Sequence, residues 1–316
     1  MADEQKLDAT FFAFKKRDKR FVLTRAAIGY LVIYAVLVAV VAALSWNSLG
    51  PLVAWYAQTV QSMLQGGEGS APPPQVLALT PYLGLLSLLS LVLFAAFEAA
   101  CLRWLVRGES GGGLLGLTFG ADTWRVLATY FVWLGLFIAF AILVAVFYAL
   151  CVVVANMGGP ARLVALLLGA LAPLGFIALM IWGGVRFAPA AANSIARRRF
   201  AFFEAPRITR GRFWELLGSF VILIIGYIVV SMIGETVLGL PAQSAMAPVT
   251  REIMTGEADS VWPLLVDAMR SPIFLGSAVA STVFSTVAAI VLYVAMFGVN
   301  ARAVLAADET RPAAPT

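Results

Sequence analysis

The sequence predicts an all-α membrane protein, a polytopic bundle of six transmembrane helices. Three observations carry this prediction. Of the 316 residues, 61% are hydrophobic and 12% are charged, whereas a soluble globular chain carries about 25% charge. The apolar residues are gathered in six long stretches, and a helix needs roughly 20 such residues to cross a bilayer. Basic residues are concentrated in alternate connections, which fits six crossings.

The six apolar stretches follow one another along the chain with short polar connections between them. Because lipid offers no partners to backbone polar groups, each stretch must cross as a helix. The first run, Phe21 to Trp46, is too long for a signal peptide and lacks its cleavage site, so we expect it to remain as a span. The predicted spans lie near residues 22–46, 79–105, 124–156, 162–188, 213–238 and 273–304.

Lysine and arginine set the expected orientation. Nineteen of the 22 basic residues fall in the N-terminal segment, the second–third connection, the fourth–fifth connection and the C-terminal tail. The other side carries only three, which are Arg162, Arg251 and Arg270. Since basic connections stay in the cytoplasm, both termini are expected there. The chain then divides into a cytoplasmic segment (1–20), a six-helix domain (21–305) and a disordered cytoplasmic tail (306–316).

Two of the outward connections contain amphipathic stretches, near residues 50–66 and 243–271. In the second, a short helix is expected to begin at Asp259 or Ser260 and to turn its apolar side chains toward the membrane or the bundle. Packing over the outer rim is one interpretation of both stretches, and a lid or partner surface is the other. The first stretch predicts a helix on the outer membrane surface, with one face formed by Leu52, Val53, Tyr56, Val60, Met63 and Leu64.

Two of the expected cytoplasmic connections resemble each other. LTFGADTWRVLATYFVWLGL and PRITRGRFWELLGSFVILIIG each combine a threonine, a glycine and a tryptophan before an apolar helix. The tryptophans are Trp124 and Trp214. The pattern suggests an internal hairpin repeat in which a basic and aromatic elbow lies in the headgroup layer. Chance similarity between apolar helices is the alternative.

A longer segment, residues 185–223, has Arg186 and Pro189 where one helix is expected to end. Thr209, Gly211 and Trp214 follow where the next is expected to begin. This segment resembles a group of poorly characterised six-helix bacterial membrane proteins, which includes the membrane domain fused to some glycerophosphodiester phosphodiesterases. The resemblance implies a bacterial inner membrane location. It does not imply phosphodiesterase activity, since the catalytic barrel of those fusions depends on histidine and this chain has none.

A candidate intramembrane polar site is formed by Glu98, Arg103 and Arg186. A charge at the centre of a span costs at least ~2.5–3.5 kcal/mol on insertion scales, so an ionisable residue there is a functional candidate. Neighbours of Glu98 on its own helix offer no partner. Glu98 could serve as a protonatable relay or ion ligand, could pair with Arg103 or Arg186, or could reach the headgroups.

The basic elbows supply candidate contacts to lipid headgroups. Each basic residue near an anionic leaflet contributes about 1 kcal/mol of attraction. Setting the topology is the simpler explanation of these charges, and a specific lipid or protein site is the other. The candidate contacts are Arg197, Arg198, Arg199, Arg207, Arg210, Arg212, Trp124 and Trp214.

No catalytic pattern emerges from the sequence. There is no histidine, no nucleotide-binding loop, no zinc-ligand spacing and no acyl-transfer motif. We therefore expect no enzyme activity, no cofactor and no metal. The expected function is that of a scaffold, accessory subunit or envelope-homeostasis factor, and the alternative is a transporter or lipid-handling protein with a cavity around Glu98. Expected partners are anionic headgroups on the cytoplasmic side and a membrane protein, not nucleic acid.

Overall fold

The computed structural model describes residues 9–15, 21–64, 67–68, 71–255 and 261–309. All regular secondary structure in these ranges is helical, and nine of the α-helices have seven or more residues. Shorter helices cover Phe12–Lys15, Pro74–Leu77 and Ala205–Ile208. The nine are α1 (Val22–Leu44), α2 (Trp46–Leu64), α3 (Thr80–Leu102), α4 (Ala121–Asn156), α5 (Ala161–Phe187), α6 (Ala190–Ala196), α7 (Phe213–Thr255), α8 (Val261–Arg270) and α9 (Pro272–Glu309).

Six helical stretches are long and apolar enough to cross a membrane, with mean hydropathy between 2.1 and 3.0 in their most apolar windows. In α1 and in α4, only 6% of the residues in the most apolar window are buried. Most of their apolar side chains therefore face outward, as lipid contact requires. The prediction of an all-α, six-span integral membrane protein is confirmed. The stretches are Val22–Leu44, Pro74–Arg107, Ala121–Asn156, Ala161–Ala196, Phe213–Thr255 and Pro272–Glu309.

A tight turn joins α4 to α5. Gly158 and Gly159 have φ angles of +77° and +76°, a region that glycine enters at no steric cost and other residues avoid. Two consecutive residues in this conformation reverse the chain, and the two helices then pack against each other. Phe137 and Phe176 face each other across this hairpin with ring centroids 5.8 Å apart.

The chain divides into two compact units. The first consists of Met1–Ala26, Ala95–Val221 and Ala295–Thr316, and the second of Ala27–Phe94 and Ile222–Val294. The first unit holds the N-terminal segment, the end of α9 and two connections that we call the first elbow (residues 108–120) and the second elbow (residues 188–212). These are the four segments that the sequence predicted to share one side of the membrane.

In the second unit, α2 packs against α8. Ala57 and Val261 are buried at this contact, and the Trp262 ring lies 3.6 Å from the position of a Cβ on Gly50. The predicted helix near 50–66 therefore forms. Tyr56, on the face expected to contact the membrane, is exposed. Its location on a membrane surface stays a prediction, and the predicted start of α8 at residues 259–260 lies outside the described residues.

The helix that contains the fifth span is longer than the sequence predicted. We expected a helix over 213–238 followed by a loop, but α7 continues to Thr255, so residues 243–255 are helical. Pro241 and Pro248 lie inside this helix, and each lacks the N–H that a helix normally uses. The hydroxyl of Ser277 on α9 contacts the α7 backbone beside Pro241, which helps to hold the helix together there.

The C-terminal tail was expected to be disordered from residue 306, but α9 extends through Glu309. Two ion pairs secure its last turn. Asp308 Oδ1 lies 3.2 Å from Arg197 Nη2, and Glu309 Oε1 lies 2.7 Å from Arg302 Nη1. Residues 310–316 are outside the described residues, so the prediction of disorder there stays a prediction.

Candidate functional site

The second elbow is built around the short buried helix α6. Asn193 is fully buried and donates through Nδ2 to the Ala201 carbonyl at 3.0 Å. The Ser194 hydroxyl accepts from the Ala201 amide at 3.1 Å. Phe202 is also fully buried and stacks on Phe187 with ring centroids 4.9 Å apart. These contacts fix the elbow against the end of α5, so its arginines project from a rigid base.

Three of the six elbow arginines are held by carboxylates of the protein itself. Arg198 and Arg199 are mostly exposed, so their pairs are screened by water and contribute little stability. Their effect is to fix the positions of the guanidinium groups and to neutralise them. The pairs are Arg197 Nη2 to Asp308 Oδ1 at 3.2 Å, Arg198 Nη2 to Glu109 Oε1 at 2.7 Å, and Arg199 Nη2 to Glu204 Oε1 at 2.6 Å.

The other three arginines, Arg207, Arg210 and Arg212, line a cavity of about 410 Å³. Within the described part of the chain, their side chains make no hydrogen bond or ion pair. The cavity wall contains four arginines and two carboxylates, so its net charge is +2. Pockets of about 300–1,000 Å³ are typical of small-molecule sites. The wall is completed by Asn193, Arg197, Glu204, Ile208, Ala307 and Asp308.

Each of the two candidate tryptophans lies in the first turn of its helix, as the fourth residue of α4 and the second residue of α7. Trp124 lies in the first turn of α4 and is 58% exposed, and Trp214 lies in the first turn of α7 and is 78% exposed. An indole ring is amphipathic and favours the boundary between hydrocarbon and headgroups. Both helices therefore begin with a ring suited to that boundary, as the proposed repeat requires, although duplication itself stays a prediction.

Around the first elbow, one carboxylate organises two cations. Asp122 accepts from Arg107 Nη2 at 2.6 Å and from Arg125 Nη1 at 2.5 Å. Arg107 also donates through Nη1 to the Ile195 carbonyl at 3.2 Å, which ties the end of the second span to α6. Sequence reasoning missed Asp122, although its position three residues before Arg125 at a helix start is a recognisable pairing signal.

Glu98 is 6% exposed, and its Oε2 accepts a hydrogen bond from the Tyr130 hydroxyl of α4. The alternative in which Glu98 pairs with Arg103 or Arg186 is not found among the described residues. Tyr130 is 32 residues further along the chain, on another helix. No spacing pattern in the sequence could have indicated this partner.

Arg186 has different surroundings. Its Nη1 lies 3.5 Å from the Pro206 carbonyl oxygen, and its guanidinium carbon lies 5.8 Å and 6.0 Å from the ring centroids of Trp182 and Phe213. Such contacts between a cation and ring faces are stabilising. Arg186 therefore braces the second elbow against α5 and α7. The cavities of about 410, 270 and 470 Å³ are all lined by residues other than Glu98, Arg103 and Arg186.

The structure thus separates the predicted site residues into groups with different surroundings. Arg197, Arg198 and Arg199 are paired internally, whereas Arg207 and its two companions point into a cavity. Comparison with protein-family models, with curated proteins and with solved structures finds no match for the chain. The resemblance of residues 185–223 to the bacterial six-helix group therefore stays a prediction.

Proposed function

We propose that this integral membrane protein is a non-enzymatic, anionic-lipid-binding scaffold or accessory subunit. The observation that carries the proposal is the cavity lined by Arg207, Arg210 and Arg212. These guanidinium groups have no described protein partner and share a wall of net charge +2. Guanidinium groups bind phosphate in a bidentate manner, and a phosphodiester headgroup supplies the matching negative charge.

We further propose that the membrane is a bacterial inner membrane and that both termini lie in the cytoplasm. The nineteen basic residues on one side and three on the other support this orientation. Anionic lipids of the cytoplasmic leaflet would then lie beside the second elbow. The proposal favours lipid binding over transport through a cavity at Glu98, because the Glu98 carboxyl is enclosed and bonded to Tyr130.

The proposal is tested with protein reconstituted into nanodiscs that contain both phosphatidylglycerol and phosphatidylcholine. Native mass spectrometry after gentle extraction measures which lipid remains bound. We expect the wild-type protein to retain phosphatidylglycerol preferentially. Because each cation contributes about 1 kcal/mol near an anionic surface, the combined variant Arg207→Gln, Arg210→Gln, Arg212→Gln loses up to about a hundredfold in this preference.

A matched control removes three arginines from the opposite side, Arg162→Gln, Arg251→Gln and Arg270→Gln. Neither triple variant reverses the basic asymmetry, so both are expected to insert in the same direction. The control is expected to keep the lipid preference. Equal loss in both variants, or no preference in the wild type, would contradict the proposed function.

A further inference from the structure

The buried arginine at the end of the second span is not explained by lipid binding at the second elbow. Arg103 is only 9% exposed and begins the π-helical turn Arg103–Arg107. Its Nε and Nη2 atoms are buried and have no hydrogen-bond partner among the described residues. An unpaired charge in such a place is strongly unfavourable, and π-helical turns often mark functional positions.

The carboxylates of this region are already engaged by other arginines. Asp122 is shared by Arg107 and Arg125, at 2.6 Å and 2.5 Å. Glu109 is shared by Arg107 and Arg198, at 3.0 Å and 2.7 Å. The cluster therefore has two carboxylates for four guanidinium groups, counting Arg103. It has an excess of two positive charges, and Arg103 is the member that makes no described ion pair with either carboxylate.

Other donors in the π-helical turn and in the first elbow are also buried without a described partner. They are the Nε of Arg107, the indole N–H of Trp104 and the hydroxyl of Thr118. The first two can only donate hydrogen bonds, and the hydroxyl can donate one. Unsatisfied buried donors together with an excess of positive charge favour a ligand that accepts hydrogen bonds and is negatively charged.

The glycine-rich first elbow folds close to Arg103. A Cβ on Gly111 would lie 3.0 Å from Arg103 Nη2 and 3.2 Å from the Gly116 carbonyl oxygen. A Cβ on Gly112, the next residue, would meet no atom within 4 Å. Residue 111 thus lies directly against the guanidinium group and a Cβ there would press on Nη2, whereas a Cβ at residue 112 would disturb nothing.

We propose that Arg103 and the first elbow form a binding site for a phosphate-class oxyanion. The site is separate from the cavity at Arg207, Arg210 and Arg212. Its ligand is either a free phosphate or the phosphodiester of a lipid headgroup, since both present the same oxygens to the guanidinium group. A bound oxyanion supplies negative charge to Arg103, because Asp122 and Glu109 are each already paired with two other arginines.

The test uses the full-length protein in a phosphate-free detergent solution at constant ionic strength. One arm adds inorganic phosphate, and the other adds micelles containing phosphatidylglycerol, with phosphatidylcholine micelles as the reference. The unfolding temperature and the bound phosphorus are measured in each arm. We expect at least one arm to raise the wild-type unfolding temperature by several degrees. A rise with phosphate identifies a free oxyanion, and a rise with phosphatidylglycerol alone identifies a headgroup.

Four variants locate the effect. Arg103→Met is expected to lose it, with affinity falling about tenfold or more, and to be no less stable than the wild type without the ligand. Gly111→Ala is expected to lose the ligand-induced rise in unfolding temperature, and Gly112→Ala is expected to keep it. This pair preserves the test if Arg103→Met fails to fold. The combined variant at residues 207, 210 and 212 is expected to keep this rise, which distinguishes the Arg103 site from the cavity on which the proposed function rests. No effect in either arm, or an undiminished effect in both Arg103→Met and Gly111→Ala, overturns the proposal.

Discussion

Burying a carboxyl group inside a membrane span is unfavourable unless the group finds a partner or a proton. Glu98 finds a partner in the Tyr130 hydroxyl, and it is packed beside fully buried neighbours such as Phe97. A hydrogen bond between two spans at such a place fixes the rotation of α3 relative to α4. At the residue scale, Glu98 is therefore accounted for by its role in holding two helices together.

This interpretation predicts that Tyr130→Phe lowers the free energy of unfolding by about 1–3 kcal/mol, because the Glu98 carboxyl stays buried without the hydroxyl. The measurement is equilibrium unfolding in detergent. Tyr148→Phe is the matched control, since Tyr148 is on the same helix, half exposed, and its hydroxyl makes no described hydrogen bond. Equal effects of the two substitutions would show that the Glu98 contact contributes nothing.

Among the helices, α7 is maintained past a proline by a side chain from α9. In a regular helix the Ala242 amide bonds the Leu238 carbonyl, four residues earlier. The Ser277 hydroxyl contacts both members of this pair: it donates to the carbonyl and accepts from the amide at 3.2 Å. A hydroxyl that contacts the helical ladder next to Pro241 compensates for the disturbance that proline causes.

We therefore predict that Ser277→Ala destabilises the protein by about 1–3 kcal/mol, the usual cost of leaving a buried polar group unsatisfied. Ser281→Ala, one turn further along α9, is the control because Ser281 makes no described hydrogen bond. Unfolding in detergent compares the two, and hydrogen exchange at Ala242 reports whether the amide has lost its partner. A Ser277→Ala protein as stable as the control would mean that α7 needs no support at Pro241.

The helices were largely predictable from the sequence, whereas their partners were not. Long apolar runs and the alternating basic connections depend on local composition, so all six spans and the helix near 50–66 were found. Where α7 continues beyond residue 238 it is contacted by Ser277, which is 39 residues from Leu238. The last turn of α9 is paired with Arg197, which is 111 residues from Asp308. Contacts of this kind leave no periodic signal.

The candidate site shows the same difference between what local sequence predicts and what only the folded structure shows. The sequence identified six elbow arginines as one basic group, because residue type and spacing are all that it displays. Pairing with Glu109, Glu204 and Asp308 separates Arg197, Arg198 and Arg199 from the other three. Glu204 is close in sequence and could have been anticipated, but Glu109 and Asp308 approach through folding alone.

Over the whole molecule, the ion pairs of the described residues lie in the segments that carry nineteen of the 22 basic residues. The N-terminal segment, both elbows and the end of α9 all belong to the first unit. The Thr10 hydroxyl donates to Ser219 Oγ at 3.1 Å, so the N-terminal segment is bonded to the start of α7. An even number of spans brings these segments to one side of a membrane, and the basic excess predicts that this side is the cytoplasm.

Cysteine labelling tests this orientation in a background where Cys101 and Cys151, both buried, are replaced by alanine. Glu68→Cys, in the exposed connection after α2, is expected to react with a membrane-impermeant maleimide in intact spheroplasts. Phe203→Cys replaces a side chain that is 69% exposed on the second elbow, so it is expected to react only after permeabilisation. Ser194→Cys is the negative control, because Ser194 is fully buried and a thiol there reacts only in the unfolded protein. Reaction of Phe203→Cys in intact spheroplasts would reverse the orientation and place the arginine-lined cavity on the outer face, away from the leaflet proposed to supply its lipid.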